Sequence, residues 1–312
     1  MATPTTYTGV IPPVVTPLSD DGGVDRGSLE RLVQHLLDGG VDGLFALGSS
    51  GEAVFLTDAQ RDEALEVIIG TAGGAVPVIA GCIETTTPRV LDRVRVAERL
   101  GADATVVTAP FYAIVGPHEI ERHLRAIGAA SSLSMFAYDI PVCVGRKLPL
   151  DLLLRLAAEG VLAGVKDSSG DDVAFRQLRL GLDDQGDTGF SLLTGHELVV
   201  DGMLLAGASG SVPGLGNVDP AGYARLHQLA DKQDWAGARA EQERLGRLFR
   251  IVDAADSTAA GATRGVGAFK CALHLLGIID SPAVSLPMRR YDEAETGRVR
   301  EQLELAGLTV RR

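Results

Sequence analysis

Eight short apolar segments recur along this chain about every 30 residues, and all but the last alternate with helix-forming stretches; that alternation constrains the fold more than any other feature. They read VIPPVV at 10–15, GLFAL at 43–47, VPVIA at 76–80, ATVVT at 104–108, SMFAY at 134–138, LAGVK at 162–166, FSLLT at 190–194 and ASGSV at 208–212. Most are rich in Val, Ile, Leu or Phe throughout, as strands buried on both faces are. Between them lie amphipathic patterns. Residues 25–39 carry Leu29, Leu32, Val33, Leu36 and Leu37 on one helical stripe. Residues 57–70 open with Thr57 as an N-cap, and 87–100 stop at Gly101. Further helices are expected at 117–131, 149–159 and 172–182.

Strand-helix alternation requires right-handed crossovers and a parallel sheet. Eight such units predict an α/β fold, a closed (β/α)8 TIM barrel. A doubly wound sheet competes with it, but that fold wants a GxGxxG turn after the first strand, where this chain reads Thr16-Pro17-Leu18. After Gly216 the pattern is purely helical, at 220–232, 234–254, 264–276 and 291–305. The expected organisation is a barrel over 1–232 and a C-terminal helical extension over 233–312, within a total of 312 residues. Barrels of this type need about 250 residues.

Composition narrows the partners. A net charge of −12 argues against nucleic acid or an anionic membrane as partner. Cys82, Cys143 and Cys271 are far apart and form no CxxC pair, so neither a disulfide framework nor a zinc site is expected. A reducing, cytoplasmic location is the default. Met1–Thr6 lacks the basic and apolar regions of a signal peptide. No apolar run approaches the roughly 18 residues needed to span a bilayer.

The active site of such a barrel lies at the C-terminal ends of its strands. There the sequence places Lys166, one of only four lysines, after four residues of buried strand. Partial desolvation disfavours an ammonium, and a neutral amine can attack a ketone to form an imine. The alternative is a lysine paired with Asp167. Tyr138 ends the neighbouring strand, where a phenol can shuttle protons or simply fill the core. Gly48-Ser49-Ser50-Gly51-Glu52 offers two hydroxyls and several N–H groups, suited to a carboxylate. A capping turn would look the same, and the absence of GK[ST] excludes a P-loop. No HExxH or metal triad is visible, so no metal is expected; His118 and His123 are expected to face solvent, and His196-Glu197 follows strand seven within reach of a substrate. Gly207, Gly210, Gly214 and Gly216 lie where barrel phosphate sites occur, which leaves a phosphate-binding barrel as a second class of reading. A non-catalytic metabolite-binding regulator is a third.

Taken together, GVIPPVVTP at 9–17, GSSGE at 48–52, YDIP at 138–141, GVKD at 164–167, GSV at 210–212 and FKCAL at 269–273 resemble the dihydrodipicolinate synthase/N-acetylneuraminate lyase family. The resemblance implies a homotetrameric class I aldolase or lyase acting on pyruvate-derived substrates, with no metal or organic cofactor. It implies Lys166 as the imine-forming residue and Tyr138 as the general acid/base. It implies that Ser49 and Ser50 hold the 2-oxo acid carboxylate, with Gly48, Gly51 and Val212 beside the substrate and Ser49 in a proton relay. Tyr112 matches a tyrosine that, in the synthase branch, completes the relay of a neighbouring subunit. One position departs. The synthase branch places an arginine two residues after the proline of YDIP, and this chain has Cys143 there, with Arg146 three residues on. Cysteine cannot make arginine's bidentate contact to a carboxylate. The run Lys166-Asp167-Ser168-Ser169-Gly170 resembles the sugar-acid and hydroxy-oxoglutarate aldolase branches, so the expected activity is cleavage or condensation of a 2-oxo acid with pyruvate as one partner and an unassigned aldehyde as the other, of the hydroxy-oxo-acid or sugar-acid aldolase type, with a synthase or a sugar-acid dehydratase as alternatives.

Overall fold

The computed structural model describes residues 7–186 and 189–311. The Met1–Thr6 segment lies outside them. In chain order the elements are β1 (Gly9–Val10), α1 (Arg26–Asp38), β2 (Leu44–Ala46), α2 (Asp58–Ala72), β3 (Val78–Gly81), α3 (Thr87–Leu100), β4 (Ala104–Thr108) and α4 (Pro117–Gly128). There follow β5 (Ser134–Asp139), α5 (Pro141–Val144), α6 (Leu150–Ala158), β6 (Gly164–Asp167), α7 (Asp172–Asp184), β7 (Ser191–Thr194), α8 (Val200–Leu205) and β8 (Gly210–Ser211). The C-terminal helical part comprises α9 (Pro220–Asp231), α10 (Trp235–Leu248), α11 (Gly261–Leu275) and α12 (Glu293–Leu305).

All strand pairs are parallel, in the order β1-β8-β7-β6-β5-β4-β3-β2. The ring closes between β1 and β2. Val14 N–H donates to Phe45 O at 2.9 Å and Phe45 N–H to Pro12 O at 3.0 Å, so the architecture is a (β/α)8 TIM barrel. The first strand is shorter than its apolar run because Pro12 and Pro13 have no N–H to give a ladder. The Asn217 side chain fixes the segment that follows, donating to Pro13 O at 2.9 Å and accepting from Val15 N–H at 3.1 Å.

The helix boundaries follow local chemistry. Thr57 caps α2 in a reciprocal box with Gln60, and Gly101 ends α3 with φ +88°. The expected helix over 234–254 divides into α10 and a 3-10 turn at Phe249–Asp253. Helix α8 has no counterpart in the sequence pattern, being only six residues with a glycine inside. One continuous hydrophobic cluster includes barrel residues such as Phe45 and Val165 together with Leu245, Phe269 and Leu303 from the C-terminal helices. Among the described residues no helix is long and apolar enough to cross a membrane.

Candidate active site

Alternation along adjacent strands sorts the residues at the barrel mouth. Tyr138 and Asp139 of β5 are in register with Lys166 and Asp167 of β6. Residues in register share a face, and successive residues face opposite ways. Tyr138 and Lys166 therefore project together, and the two aspartates project together on the other side. Lys147 serves the aspartates, donating to Asp139 Oδ2 at 2.7 Å and to Ser169 Oγ at 2.8 Å, with Asp167 Oδ2 at 3.8 Å. Burial raises the Asp139 carboxyl pKa, and the Lys147 ammonium opposes the rise.

Lys166 is thus not the partner of Asp167. It is 4 % exposed and, among the described residues, makes no ion pair or hydrogen bond. Its Nζ lies 4.2 Å from the Tyr138 ring centroid and 4.7 Å from that of Phe45. Those two rings meet edge to face, 6.2 Å apart. Aromatic faces stabilise a cation without taking its proton or fixing it in a salt bridge.

The turn after β2 stands next to Phe45. Leu47 and Glu52 bracket it with φ of +56° and +60°, conformations that side-chain-bearing residues seldom adopt. The N–H groups of Ser49, Ser50 and Gly51 donate to no protein acceptor among the described residues, and neither serine hydroxyl is bonded. Three successive free N–H groups form an anion-binding concavity. Close packing dictates its glycines: a Cβ on Gly48 would stand 2.6 Å from the Phe45 ring and one on Gly51 2.9 Å from Val14 O. Glu52 is fully buried and anchors the turn, pairing with the buried Lys270 of α11 and accepting from Ser285 N–H at 2.7 Å.

Ser49 and Ser50 border a cavity of about 520 Å³ that also touches Thr108, Cys143, Glu197 and Phe269. Thr108 is in register with Tyr138. Lys166 and Tyr138 do not themselves line the cavity, yet the Lys166 charge acts on two residues that do. It opposes the burial that raises the Cys143 thiol pKa, and it opposes the burial that pushes the Glu197 carboxyl up to about 7. Glu197 Oε2 also accepts from Leu215 N–H at 2.7 Å. A larger hollow of about 750 Å³ lies at the opposite, N-terminal ends of the strands, beside Arg125, Ser134 and Phe190, and none of the candidate residues borders it.

The remaining expectations divide. Tyr112, on the loop after β4, is 98 % exposed and does not border the cavity of its own chain. Val212 is buried and spends its N–H on Thr194 O at 2.8 Å. Arg146 is exposed and does not line the cavity, so it does not replace the arginine missing at Cys143. His118 is exposed as expected, whereas His123 is buried, with Nδ1 2.9 Å from Thr87 Oγ1 and Nε2 3.2 Å from Thr108 O. Thr108 is a cavity residue that the sequence pattern does not single out; its buried hydroxyl has no partner among the described residues. Its one signal was a threonine ending an apolar strand. No group of three or more potential metal ligands occurs among the described residues.

The fold and the lysine-bearing mouth are those of a class I lyase built on a (β/α)8 barrel. The chain belongs to the dihydrodipicolinate synthetase family, whose model matches residues 6–306. A 4-hydroxy-tetrahydrodipicolinate synthase from Phenylobacterium zucineum is 32 % identical over 304 residues, covering 97 % of this chain and 98 % of the relative. An uncharacterized DapA-like lyase from Halobacterium salinarum is 32 % identical over 302 residues, covering 96 % of this chain and 94 % of the relative. Among solved structures, YagE, a prophage protein of the dihydrodipicolinic acid synthase family from E. coli K12 in complex with pyruvate, superposes with a TM-score of 0.91. It is 26 % identical and covers 98 % of this chain and 100 % of its own.

Proposed function

We propose that the protein is a Schiff-base aldolase that joins pyruvate to an aldehyde, or cleaves the resulting 4-hydroxy-2-oxo acid. The observation that carries this reading is Lys166, buried at the mouth with no ionic partner among the described residues, its nitrogen over the Phe45 ring against which the turn of free N–H groups packs. The pyruvate complex of YagE supports the choice of 2-oxo acid. The Ser49–Gly51 N–H groups and the serine hydroxyls hold the carboxylate. The Lys166 amine attacks the ketone carbon, Tyr138 relays a proton to the departing oxygen, and water leaves as the protonated imine forms. A methyl proton passes to the Tyr138 relay, which leaves a neutral enamine. Its carbon attacks the aldehyde carbon, the carbonyl electron pair moves to oxygen, and that oxygen takes a proton. Water then hydrolyses the imine and frees Lys166; cleavage runs the same steps backwards.

Tyr112 would enter from a second copy of the chain. Its near-complete exposure, beside the exposed Ile114, supports an assembled site of the kind the resemblance implies. The name of the Phenylobacterium relative favours a second reading, condensation with an aldehyde that carries a carboxylate, as a synthase performs. Cys143 opposes it, for the reason given above. The test is proton exchange. In deuterium oxide the enzyme should exchange the methyl protons of pyruvate, seen as loss of the methyl proton NMR signal, and Lys166→Ala should not. Wild-type protein that leaves the methyl group unexchanged would overturn the reading.

A further inference from the structure

We propose that the second substrate of this lyase is an uncharged, apolar aldehyde, aromatic or branched aliphatic, and that the cavity beyond Lys166 rejects aldehydes bearing a carboxylate. The proposal rests on the imine at Lys166 and adds the identity of its partner.

The cavity walls sort by element. Its polar groups sit on strand ends and the loops that follow them: Ser49 and Ser50 after β2, Thr108 at the end of β4 and Glu197 after β7. Lys166 lies just outside this end: Thr108 is in register with Tyr138, and the Lys166 charge acts on Glu197. The rest of the wall comes from α5, the 3-10 turn and α11, with Val142 and Cys143 on its exposed rim and Val144, Val266 and Phe269 buried behind them. Among the described residues no arginine, lysine or histidine lines the cavity, and Glu197 is the one carboxyl that does.

A second carboxylate in this space would meet no cation on the cavity wall among the described residues, and the enamine at Lys166 that attacks the aldehyde is neutral. A buried carboxylate without a paired cation is strongly disfavoured, and its desolvation outweighs any contact with apolar walls. A polyhydroxylated chain fares little better. Its hydroxyls would be stripped of water against valine and phenylalanine, with Thr108 and Glu197 the only side chains beyond the serine turn able to bond them. An apolar substituent instead exchanges water for phenylalanine and valine faces, which is favourable in proportion to the area covered. The volume of about 520 Å³ accommodates pyruvate with an aromatic ring beside it.

The new C–O group of the product lies at the polar end. The aldehyde oxygen, gaining the electron pair of its broken π bond, takes its proton there. The Thr108 hydroxyl, buried and without a partner among the described residues, belongs to a residue that borders this end of the cavity.

The experiment uses the full-length protein in its native assembly. Borohydride trapping with pyruvate comes first and reads the imine alone. Condensation of pyruvate with benzaldehyde, isovaleraldehyde, succinic semialdehyde and glyceraldehyde is then followed by product mass and initial rate. The expected result is a trapped adduct, with kcat/KM for benzaldehyde or isovaleraldehyde at least a hundredfold above that for succinic semialdehyde. Cys143→Arg should shift that ratio at least tenfold toward succinic semialdehyde. No adduct in the first step would overturn the imine reading and this proposal with it. An adduct followed by preference for succinic semialdehyde or glyceraldehyde, or by no condensation with any of the four, would overturn this proposal alone. An unchanged ratio in Cys143→Arg would overturn the assignment of the α5 wall as the selector.

Discussion

Lys166 and Lys270 are both buried, and they are opposite cases. Lys270 is wholly enclosed in α11, paired with Glu52 and donating to Ala283 O at 2.8 Å. Burial lowers its pKa, and the Glu52 carboxylate opposes the fall. Lys166 is almost as enclosed but is denied a partner, because Lys147 takes up both nearby aspartates. One buried cation is satisfied and holds a turn in place. The other is held between two rings with its nitrogen uncommitted. Folding tolerates the first because its charge is paired, and chemistry needs the second because its charge is not. The two are linked, since Glu52 belongs to the turn whose N–H groups stand ready for the substrate carboxylate.

Exchanging their roles gives the sharpest tests. Lys166→Ala should lower turnover by roughly five orders of magnitude or more, as loss of a covalent nucleophile does, while thermal unfolding leaves the melting temperature essentially unchanged. A melting temperature that fell steeply would make Lys166 structural and erase the contrast. Tyr138→Phe should cost about 10²–10⁴ in kcat, the usual worth of a positioned acid/base, and steady-state kinetics with pyruvate saturating would measure it. Lys270→Met should leave Glu52 buried without a cation and destabilise the protein by about 3–5 kcal/mol in denaturant unfolding. Adding Glu52→Gln should restore part of that loss.

The smallest effect concerns Glu197. Its carboxyl is raised from 4.5 to about 7, so the folded chain keeps a proton that the unfolded chain releases between those values. Stability contributed by the neutral form is full below pH 4.5 and declines as pH rises towards 7. Glu197→Gln should flatten that decline, raising the melting temperature at pH 8 and changing it little at pH 4.5. An equal rise at both values would show that burial does not govern this carboxyl.

The barrel was legible because its strands are buried on both faces and its helices on one, so two different periods alternate along the chain. The first strand read too long because apolarity hides what Pro12 and Pro13 do to a ladder. His123 was misread from its helix position alone; its spacing from Ile120, Leu124 and Ile127 puts it on the buried stripe. The positions of Lys166, Tyr138 and the serine turn at the barrel mouth could be read because each ends a strand. The roles of Lys147 and Glu197 could not. The first depends on a side chain returning from the α5–α6 connection to two different strands, and the second on enclosure that no local pattern encodes.

The most direct measurement is peptide mapping after borohydride reduction in the presence of pyruvate. A pyruvate-derived mass increment on the peptide carrying Lys166, with none on the peptide carrying Lys270, is the expected result. An increment on any other lysine, or none at all under conditions where pyruvate binds, would contradict the account.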